Sequence, residues 1–512
     1  MRTAKTEWLK WALSVVESQK PLDPQFSPTR RNFLKHTSKS ALAFAVAPIF
    51  GTGVLGLNKP RIAIIGGGLA GMTCAWRLKK AGLEPIVYEA TDRIGGRTMT
   101  IENFHPDGKN CEIGGEYFTS DHIYMIRMAR ELSLKVQTVS APNKHLKPFK
   151  AYFGKKEIPL EELGRSLSLL ADQINEDIAS LPKFLSWEYA DEFVHLDQMS
   201  ISDYLRSKGA DDLAYGFLNR AFTIENGMEA NEQSALNLLR TFSSGFVYHP
   251  SSKIRSLQIK QGNQSICKEL SSRLWKNIQT DHRLENFHQH TDWYKLTFRH
   301  QGRMKTVEAD YVVMAVPFSV LRQIEHDVHF NDRKQLAINE LGYGQKGSLL
   351  LGFDQKPWRE QGYDGLTFSD EMFGYGSDLA PRHKGKSHVL SVKPSGKEAA
   401  SFARLDTADA ALKCLQSFDK IYPGISNHFD GQALKFCWSD NPNFLGSNSC
   451  YQVGQYSQFG GEEGKSVENM YFIGEHCSHD YKGTMNGAIE TGDMAASNII
   501  RRVERRKRKR RP

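Results

Sequence analysis

The sequence contains 512 residues, of which 40% are hydrophobic and 24% are charged. A chain of this length can form two or three domains with sizeable cores, and its composition excludes disorder along the whole chain. The formal net charge is +9. Residues 501–511 contain nine basic residues and one glutamate, so the positive charge belongs to this basic tail and the rest of the chain is nearly neutral.

The basic tail and the cysteines limit the classes of partner and site. A short basic run is usually a solvated end, and contact with anionic lipid or nucleic acid is the alternative. We expect no nucleic-acid partner. The seven cysteines are scattered and lack C-x-x-C spacing, so we expect neither a metal site nor a disulfide framework.

The N-terminal region resembles an export signal. Residues 29–35 spell Thr-Arg-Arg-Asn-Phe-Leu-Lys and match the twin-arginine pattern. Residues 40–58 contain no charged residue and approach the ~20 residues that span a bilayer. We therefore expect residues 1–58 to engage the twin-arginine translocase, giving a periplasmic or exported protein with a membrane anchor as one outcome. The alternative is a basic helix without a targeting role, and the sequence leaves open whether the signal is cleaved.

A strand, a glycine-rich turn and a helix follow this segment. Arg61 to Ile65 has strand character, Gly66, Gly68 and Gly71 have G-x-G-x-x-G spacing, and residues 69–81 have helical character. The glycines permit a tight turn and close approach of the backbone to a pyrophosphate, and the helix N-terminus supplies free N–H groups. The pattern predicts a dinucleotide site.

A second strand, predicted from residue 84 to Glu89, ends on an acid. Glu89 stands about 20 residues after the last glycine, where an acid binds the ribose hydroxyls of a dinucleotide. Leu69 and Ala70 open the helix, Ala90 follows the acid, and we assign all three to the same site. This pattern alone does not distinguish NAD from FAD.

Two further glycine pairs follow. Arg93, Gly96 and Arg97 belong to a turn in which guanidinium groups can reach phosphate oxygens. The Gly114-Gly115 pair precedes Glu116, and such a pair suits backbone that lies against a flat ring. The alternative for Arg93 to Arg97 is an ordinary turn without a phosphate contact. The alternative for Glu116 is a side chain that faces solvent.

The remaining chain alternates between helical and strand patterns. Residues 161–244 are mostly helical, including Leu163 to Leu181, and strand patterns return at Tyr294 to Phe298 and at Glu308 to Pro317. We therefore predict a discontinuous architecture. Its parts are the signal or anchor at 1–58, a cofactor domain at 59–140, 245–329 and 437–500, a substrate domain at 141–244 and 330–436, and the basic tail at 501–512.

The motifs, taken in order over residues 59–500, resemble those of the flavin-dependent amine oxidases, a family that includes monoamine, polyamine and L-amino-acid oxidases. The resemblance implies an α/β fold with a Rossmann-like, glutathione-reductase-like FAD-binding domain assembled from discontinuous segments, and an inserted α+β substrate domain. The markers beyond those above are residues 261–265, which hold one glycine where the family usually has two, Ala315-Val316-Pro317, Lys346, Pro357-Trp358, Trp438, Cys450-Tyr451 and residues 471–492.

The resemblance implies FAD as the cofactor. Glu89 would bind the adenosine ribose, and Arg97 would lie near the diphosphate. Gly474, Glu475 and the helix start at Met485 would face the ribityl chain and the ring, where a helix N-terminus stabilises the negative charge of reduced flavin. In the family a hydride passes from the α-carbon of the amine to the flavin, the imine is hydrolysed, and O2 is reduced to hydrogen peroxide.

Four residues occupy positions that take part in the chemistry of the family, and one of them differs from the residue that the family usually has. Lys346 matches the lysine that holds a water at the flavin, where a cation would promote reaction with oxygen. Cys450 stands where monoamine oxidases join the flavin covalently, although the residues before it differ here and most family members bind FAD without a bond. Tyr451 matches a tyrosine beside the substrate amine, and Thr484 replaces the second tyrosine of that pair.

The predicted function is FAD-dependent oxidation of a small amine by O2. The alternatives are a flavin-dependent desaturase or dehydrogenase that passes electrons to a quinone, an L-amino-acid oxidase, and a non-catalytic flavin-binding protein. The arginine with which some L-amino-acid oxidases bind the substrate carboxylate is not apparent, and Tyr117 occupies the nearest position. The sequence predicts neither the individual amine nor the oligomeric state.

Overall fold

A computed structural model describes residues 59–105, 109–139, 145–242, 255–379 and 387–509. The predicted export signal and the uncharged stretch at 40–58 lie outside the described residues. The strands, in chain order, are β1 (Ile62–Ile65), β2 (Pro85–Tyr88), β3 (Thr100–His105), β4 (Lys109–Glu112), β5 (Phe118–Thr119), β6 (Val136–Thr138), β7 (Lys150–Phe153), β8 (Lys156–Ile158), β9 (Ser256–Ile259), β10 (Ile278–Gln279), β11 (Arg283–Gln289), β12 (Tyr294–His300), β13 (Arg303–Ala309), β14 (Tyr311–Met314), β15 (Glu325–His326), β16 (Gly347–Phe353), β17 (Thr367–Ser369), β18 (Tyr375–Asp378), β19 (His388–Val392), β20 (Phe429–Cys437) and β21 (Met470–Phe472).

The α-helices, in chain order, are α1 (Leu69–Lys80), α2 (Ile123–Glu131), α3 (Leu160–Ser168), α4 (Ala171–Ser180), α5 (Val194–Asp197), α6 (Ile201–Ser207), α7 (Asp212–Asn226), α8 (Ala235–Thr241), α9 (Ser265–Arg273), α10 (Phe318–Leu321), α11 (Asp332–Glu340), α12 (Pro357–Glu360), α13 (Lys397–Ala403), α14 (Thr407–Ile421), α15 (Gln455–Phe459) and α16 (Met485–Lys509).

A parallel sheet in the order β10-β2-β1-β14-β21 forms the centre of the fold. Its strands come from three segments that are distant along the chain, which confirms the predicted discontinuous α/β fold. Alternate residues of β1 face two different hydrophobic cores. Ile62 and Ile64 pack with α1 and α16 on one face of the sheet. Ala63 and Ile65 pack with the sheet of β11 and β12 on the other face. A strand that is buried on both faces needs the continuous apolar run seen in the sequence.

The two helices on the sheet pack backbone to backbone. A Cβ on Gly492 of α16 would lie 2.5 Å from the carbonyl oxygen of Ala70 in α1, so only glycine permits this approach. The contact fixes the starts of both helices relative to the sheet. Predicted ends were close to those observed, since the helix predicted at 69–81 ends at Lys80.

The predicted strand from Glu308 to Pro317 is wrong as a single element. Its first residues belong to β13 in a four-stranded sheet of order β13-β12-β11-β15, and Tyr311 to Met314 forms β14 of the parallel sheet. Asp310 separates the two strands, and its carboxylate accepts a hydrogen bond from the Arg61 backbone N–H at 2.8 Å. This side chain to backbone bond competes with strand pairing and turns the chain.

A seven-stranded sheet of order β20-β16-β19-β18-β17-β7-β8 forms the second layer of the molecule. Its central strand β16 is buried along its whole length, and α14 packs against the sheet. The helices α3 to α8 lie beside it. The helical pattern predicted over residues 163–181 is confirmed, and it forms two helices, α3 and α4, that are separated at Leu169 and Leu170. The exact domain boundaries stay predictions.

The last helix is longer than the sequence pattern predicts. We expected the basic tail to be a separate segment after residue 500, but α16 continues through it to Lys509. None of the helices in the described part of the chain combines the length and apolar composition needed to cross a bilayer.

Candidate active site

A cavity of about 390 Å³ lies at the carboxyl edge of the parallel sheet. Residues that follow four of its strands line the cavity: Gly66 after β1, Glu89 after β2, Ala315 after β14 and Gly474 after β21. This edge is the usual position of a ligand site in an open parallel sheet. The seven-stranded sheet closes the opposite wall through the start of β16.

The turn between β1 and α1 leaves no room for side chains at Gly66 and Gly71. A Cβ on Gly71 would lie 2.0 Å from the Gly66 carbonyl oxygen, and Gly66 has a φ of +110°. Gly68, Leu69 and Ala70 line the cavity. No side chain of the described residues caps α1 by a hydrogen bond and its first turn holds no acid, so the positive end of the helix dipole is open to an anion.

Glu89 lies on the same wall, next to Ala90. Its carboxylate accepts hydrogen bonds from the Gly67 N–H at 2.7 Å and from the Thr91 N–H and hydroxyl at 3.0 and 2.8 Å. These bonds join the end of β2 to the glycine-rich turn. The acid is therefore held at the cavity in one orientation.

The two arginines predicted near phosphate have different positions. Arg97 lines the cavity beside Gly96, and its Nη1 donates to a carboxylate oxygen of Glu475 at 2.7 Å. Arg93 lies behind this wall, where its guanidinium donates to the carbonyl oxygens of Thr98 and Gly96. Arg93 therefore braces the turn, and Arg97 is the cation that faces the cavity.

Glu475 is a buried anion of the site. It accepts hydrogen bonds from the Ser449 N–H at 3.0 Å, the Ser449 hydroxyl at 2.7 Å and the Gly483 N–H at 2.8 Å, in addition to Arg97. Burial alone would raise the pKa of this carboxyl, but the charge of Arg97 and these hydrogen bonds lower it to about 2. Glu475 therefore stays charged and joins three loops at the cavity.

The predicted Gly114-Gly115 pair meets the start of α16. A Cβ on Gly115 would lie 2.7 Å from the Sδ of Met485, so the glycine loop and the helix start touch at the cavity. Thr484 accepts a hydrogen bond from the Gly487 N–H at 3.1 Å and donates one to the Tyr481 carbonyl at 2.7 Å. Thr484 therefore caps α16, and the N-terminus of this helix lies at the cavity wall.

Lys346 lies in the cavity wall immediately before β16 and is buried. Its Nζ donates hydrogen bonds to the Glu225 carbonyl oxygen and to Oδ1 of Asn448 at 3.0 Å. Two elements far apart in the chain therefore hold this ammonium in place. The Glu225 side chain also belongs to the wall, and among the described residues it forms no ion pair.

Glu116 forms a buried ion pair in the same cavity. Its carboxylate lies 2.7 Å from the Nζ of Lys393, and both side chains are almost fully buried. Ser391 donates a further hydrogen bond to Glu116 at 3.1 Å, and Lys393 donates one to Ser348 at 2.8 Å. Glu116 is therefore neither solvent-facing nor an unpaired anion.

Cys450 lines the cavity as a free thiol. Its Sγ lies 3.5 Å from Nδ2 of Asn237 and 3.6 Å from Oε1 of Gln233. Burial raises the pKa of this thiol, and Lys346 and Lys482 offset only part of the shift. The thiol is therefore protonated at neutral pH.

Tyr451 lies behind the cavity wall, and Tyr456 lies on it. The two rings are 3.9 Å apart, and the Tyr451 hydroxyl donates to Glu463, which also accepts from the Gly461 N–H at 2.9 Å. Lys482 lies over the Tyr451 ring at 4.4 Å. Of these two tyrosines, Tyr456 lines the cavity, and the predicted role of Tyr451 beside the substrate amine stays a prediction.

Several charged or aromatic residues of the cavity wall were missed in the sequence. Among them are Glu225, Arg240, Lys393, Tyr456 and Lys482. Lys482 had a local signal, because it lies inside the segment 471–492 that was already singled out. The other four lie on elements that the fold brings together without any fixed spacing.

Comparison with known proteins gives the family. The model of the flavin containing amine oxidoreductases matches residues 69–500. Polyamine oxidase 3 of Oryza sativa subsp. japonica is 26% identical over 87% of this chain and 90% of that protein. Amine oxidase [flavin-containing] B of Homo sapiens is 25% identical over 86% of each chain.

Solved structures confirm the fold. Putrescine oxidase bound to putrescine matches with a TM-score of 0.73 at 21% identity, over 86% of this chain and 99% of that one. Cyclohexylamine oxidase from Brevibacterium oxydans IH-35A matches with a TM-score of 0.74 at 18% identity, over 87% of this chain and 100% of that one. The chain therefore belongs to the flavin-containing amine oxidoreductase family and is an FAD-dependent oxidoreductase that acts on amines.

Proposed function

We propose that this chain oxidises a small primary or secondary amine to an imine, which hydrolyses to an aldehyde or ketone, and reduces O2 to hydrogen peroxide. The observation that supports this most directly is one cavity that contains the dinucleotide turn, the buried Lys346 and two carboxylates, Glu116 and Glu225. A flavin and a cationic substrate would share this space.

The residues present fit FAD. The open turn at Gly66 to Gly71 and the uncapped start of α1 suit a pyrophosphate, Glu89 suits a ribose, and Arg97 supplies a nearby cation. The glycine loop at Gly115 and the start of α16 suit the ring system. When bound, FAD would accept a hydride, which carries two electrons, from the carbon next to the amine nitrogen and would pass those two electrons to O2.

Two groups of the chain would supply positive charge next to the bound flavin. The N-terminus of α16 and Lys346 place positive potential at the cavity, which favours negative charge that develops there. Asn448 and the Glu225 carbonyl fix the Lys346 ammonium, so this potential needs no reorganisation. Tyr456 gives the cavity an aromatic wall next to Cys450.

We propose a diamine or polyamine as the substrate class. Glu225 has no ion-pair partner among the described residues, so its carboxylate is available for a second ammonium group of the substrate. The names of the relatives point the same way, since they include a polyamine oxidase and a putrescine oxidase. Replacing Glu225 by Gln should raise KM for a diamine roughly 10- to 100-fold, because a hydrogen bond to a charged group is lost, and leave KM for a monoamine nearly unchanged.

An L-amino acid is the second candidate substrate. The observation that favours it is Arg240, a cation on the cavity wall that was not apparent in the sequence. Peroxide release from a panel of diamines, monoamines and L-amino acids separates the classes. The matched control for Glu225→Gln is Glu232→Gln. Glu232 is exposed, so this variant removes a nearby negative charge outside the cavity.

The panel also tests the reaction type. Amine-dependent peroxide supports the oxidase, whereas reduction of a quinone analogue without peroxide would favour a dehydrogenase.

We further propose export through the twin-arginine translocase, which residues 29–35 support. Cell fractionation of the Arg30→Lys, Arg31→Lys variant should then find the protein in the cytoplasm, and an unchanged location would contradict export by this route.

A further inference from the structure

The basic end of α16 has no part in the cavity and reaches the opposite side of the sheet. α16 starts at the cavity with Met485 and has 25 residues, which corresponds to a length of roughly 37 Å. At its far end Arg506 lies 5.4 Å from the ring of Tyr311, the first residue of β14. Arg502 donates to the carbonyl of Glu468, just before β21, at 2.7 Å. The basic end therefore lies at the amino edge of the parallel sheet.

Three arginines of this end face away from the protein. Val503 is buried and marks the inner face of the helix. Arg501, Arg505 and Arg508 are exposed, and their spacing of four and three residues places them together on the opposite face. They form an outward row of positive charge.

The first described residues lie at the same edge. Lys59 is exposed, and Arg61 directly before β1 contacts Asp310 directly before β14, with 2.8 Å between Nη2 and the carboxylate. Lys59 therefore adds a further exposed cation on the side of the sheet where α16 ends.

An exposed tryptophan lies at this edge as well. Trp275 is 69% exposed and stands three residues before β10, the outer strand of the parallel sheet. The Nζ of Lys276 lies 5.0 Å from its ring. Tryptophan has an apolar body and a polar N–H, a combination that favours the boundary between lipid and water.

We propose that this amino-edge surface, formed by Lys59, Trp275, Arg501, Arg505 and Arg508, docks on an anionic lipid bilayer. Rows of arginine attract anionic headgroups, and the exposed Trp275 supplies an apolar side chain suited to the headgroup region of the same bilayer. The cavity lies at the carboxyl edge, so docking leaves it facing the aqueous phase. A nucleic-acid backbone would also attract arginines, but it does not explain the exposed Trp275.

Stabilisation of the helix dipole does not account for the arginine row. Cations favour the C-terminus of a helix only within its last turn. The basic run begins at Arg501, about two turns before the helix ends at Lys509. The row also faces outward, where it adds nothing to the packing of α16 on the sheet.

Sedimentation of the full-length, FAD-loaded protein with vesicles tests the proposal. The vesicles contain phosphatidylcholine alone or phosphatidylcholine with phosphatidylglycerol. The variant is Arg501→Gln, Arg505→Gln, Arg508→Gln, and the matched control removes three exposed cations from the seven-stranded sheet side, Lys397→Gln, Arg404→Gln, Lys413→Gln. Flavin absorbance and melting temperature confirm that each variant is folded.

Partition of the arginine variant onto the anionic vesicles should fall roughly 100-fold, since each basic residue near an anionic surface contributes about fivefold. Partition onto neutral vesicles should not change, and the control variant should behave as the wild type. Equal partition of wild type and arginine variant onto anionic vesicles would overturn the proposal. The proposal would also be overturned in favour of a nucleic-acid partner by a second outcome. In that outcome the arginine variant loses affinity for duplex DNA, while its partition onto the anionic vesicles stays at the wild-type level.

Discussion

We propose that Lys346 is the residue on which the reaction with oxygen depends. Its ammonium is buried and held by Asn448 and the Glu225 carbonyl, so its charge would act from a fixed position in the cavity wall. Replacing Lys346 by Met should slow the oxygen half-reaction roughly 100- to 1,000-fold, the usual effect of losing one preorganised charge partner. Reduction of the flavin by amine should change much less, and stopped-flow absorbance separates the two steps.

The Lys346→Arg variant is the control for this prediction. It keeps the positive charge, so it should recover a large part of the oxygen reactivity that Lys346→Met loses. If Lys346→Met reacts with oxygen as fast as the wild type, the cation has no role in reoxidation.

Cys450 decides whether the cofactor is covalently attached. A cysteine must be a thiolate to act as a nucleophile, and burial raises the pKa of the Cys450 thiol. We therefore expect FAD to be bound without a covalent bond. After acid precipitation all flavin should remain in the supernatant, and fluorescent protein in the pellet would show a covalent bond.

Glu475 gives the protein a predictable sensitivity to acid. Its folded-state pKa of about 2 lies below the ordinary value of 4.5, so its stabilising contribution is complete above that value and is lost as the pH falls through about 4.5 toward 2. The shift corresponds to about 3 kcal/mol. Unfolding in urea between about pH 6 and pH 3 should show a weaker pH dependence for Glu475→Gln than for the wild type.

The exposed Glu102 provides the comparison. Glu102→Gln removes a carboxylate from a surface ion pair with Lys268, and such pairs contribute little to stability. Its pH profile should match that of the wild type. A wild-type profile for Glu475→Gln as well would mean that the buried network at the cavity does not control acid stability.

At the scale of elements, two glycines in helices make opposite predictions. Gly71 in α1 touches the Gly66 carbonyl, so Gly71→Ala forces a clash of backbone atoms and should cost roughly 3 kcal/mol or more, with loss of bound flavin. A Cβ added to Gly216 in α7 would meet no atom within 4 Å, so Gly216→Ala should stabilise the protein by about 1 kcal/mol. Thermal unfolding and the flavin-to-protein absorbance ratio measure both effects, and similar results for the two variants would contradict the packing argument.

Helices and strands could be predicted from the sequence where neighbouring residues alone determine where they begin and end. β1, the glycine turn and α1 follow one another within 20 residues, and the sequence shows each boundary to within one residue. The strand predicted across Asp310 failed because its split depends on Arg61, a residue far away in the chain. The break between α3 and α4 at Leu169 and Leu170 has no glycine or proline to mark it in the sequence.

At the scale of the whole molecule, the cofactor side of the cavity was predictable and the substrate side was not. Glu89, Arg97, Gly115 and Glu475 lie in motifs that the sequence displays. The substrate wall joins residues from unrelated segments, such as Glu116 with Lys393, and no spacing connects them. The ring of Tyr451 lies 3.9 Å from that of Tyr456, which lines the cavity, and the role of Tyr451 beside the substrate amine stays a prediction.

The most direct test of the proposed chemistry is an anaerobic titration of the FAD-loaded protein with putrescine, spermidine and benzylamine, followed by admission of O2. We predict that at least one amine bleaches the flavin absorbance completely, that the diamine does so at the lowest concentration, and that O2 restores the absorbance with one hydrogen peroxide per amine oxidised. Flavin that no amine bleaches, or reduced flavin that returns its electrons only to a quinone, would contradict the proposed amine oxidase.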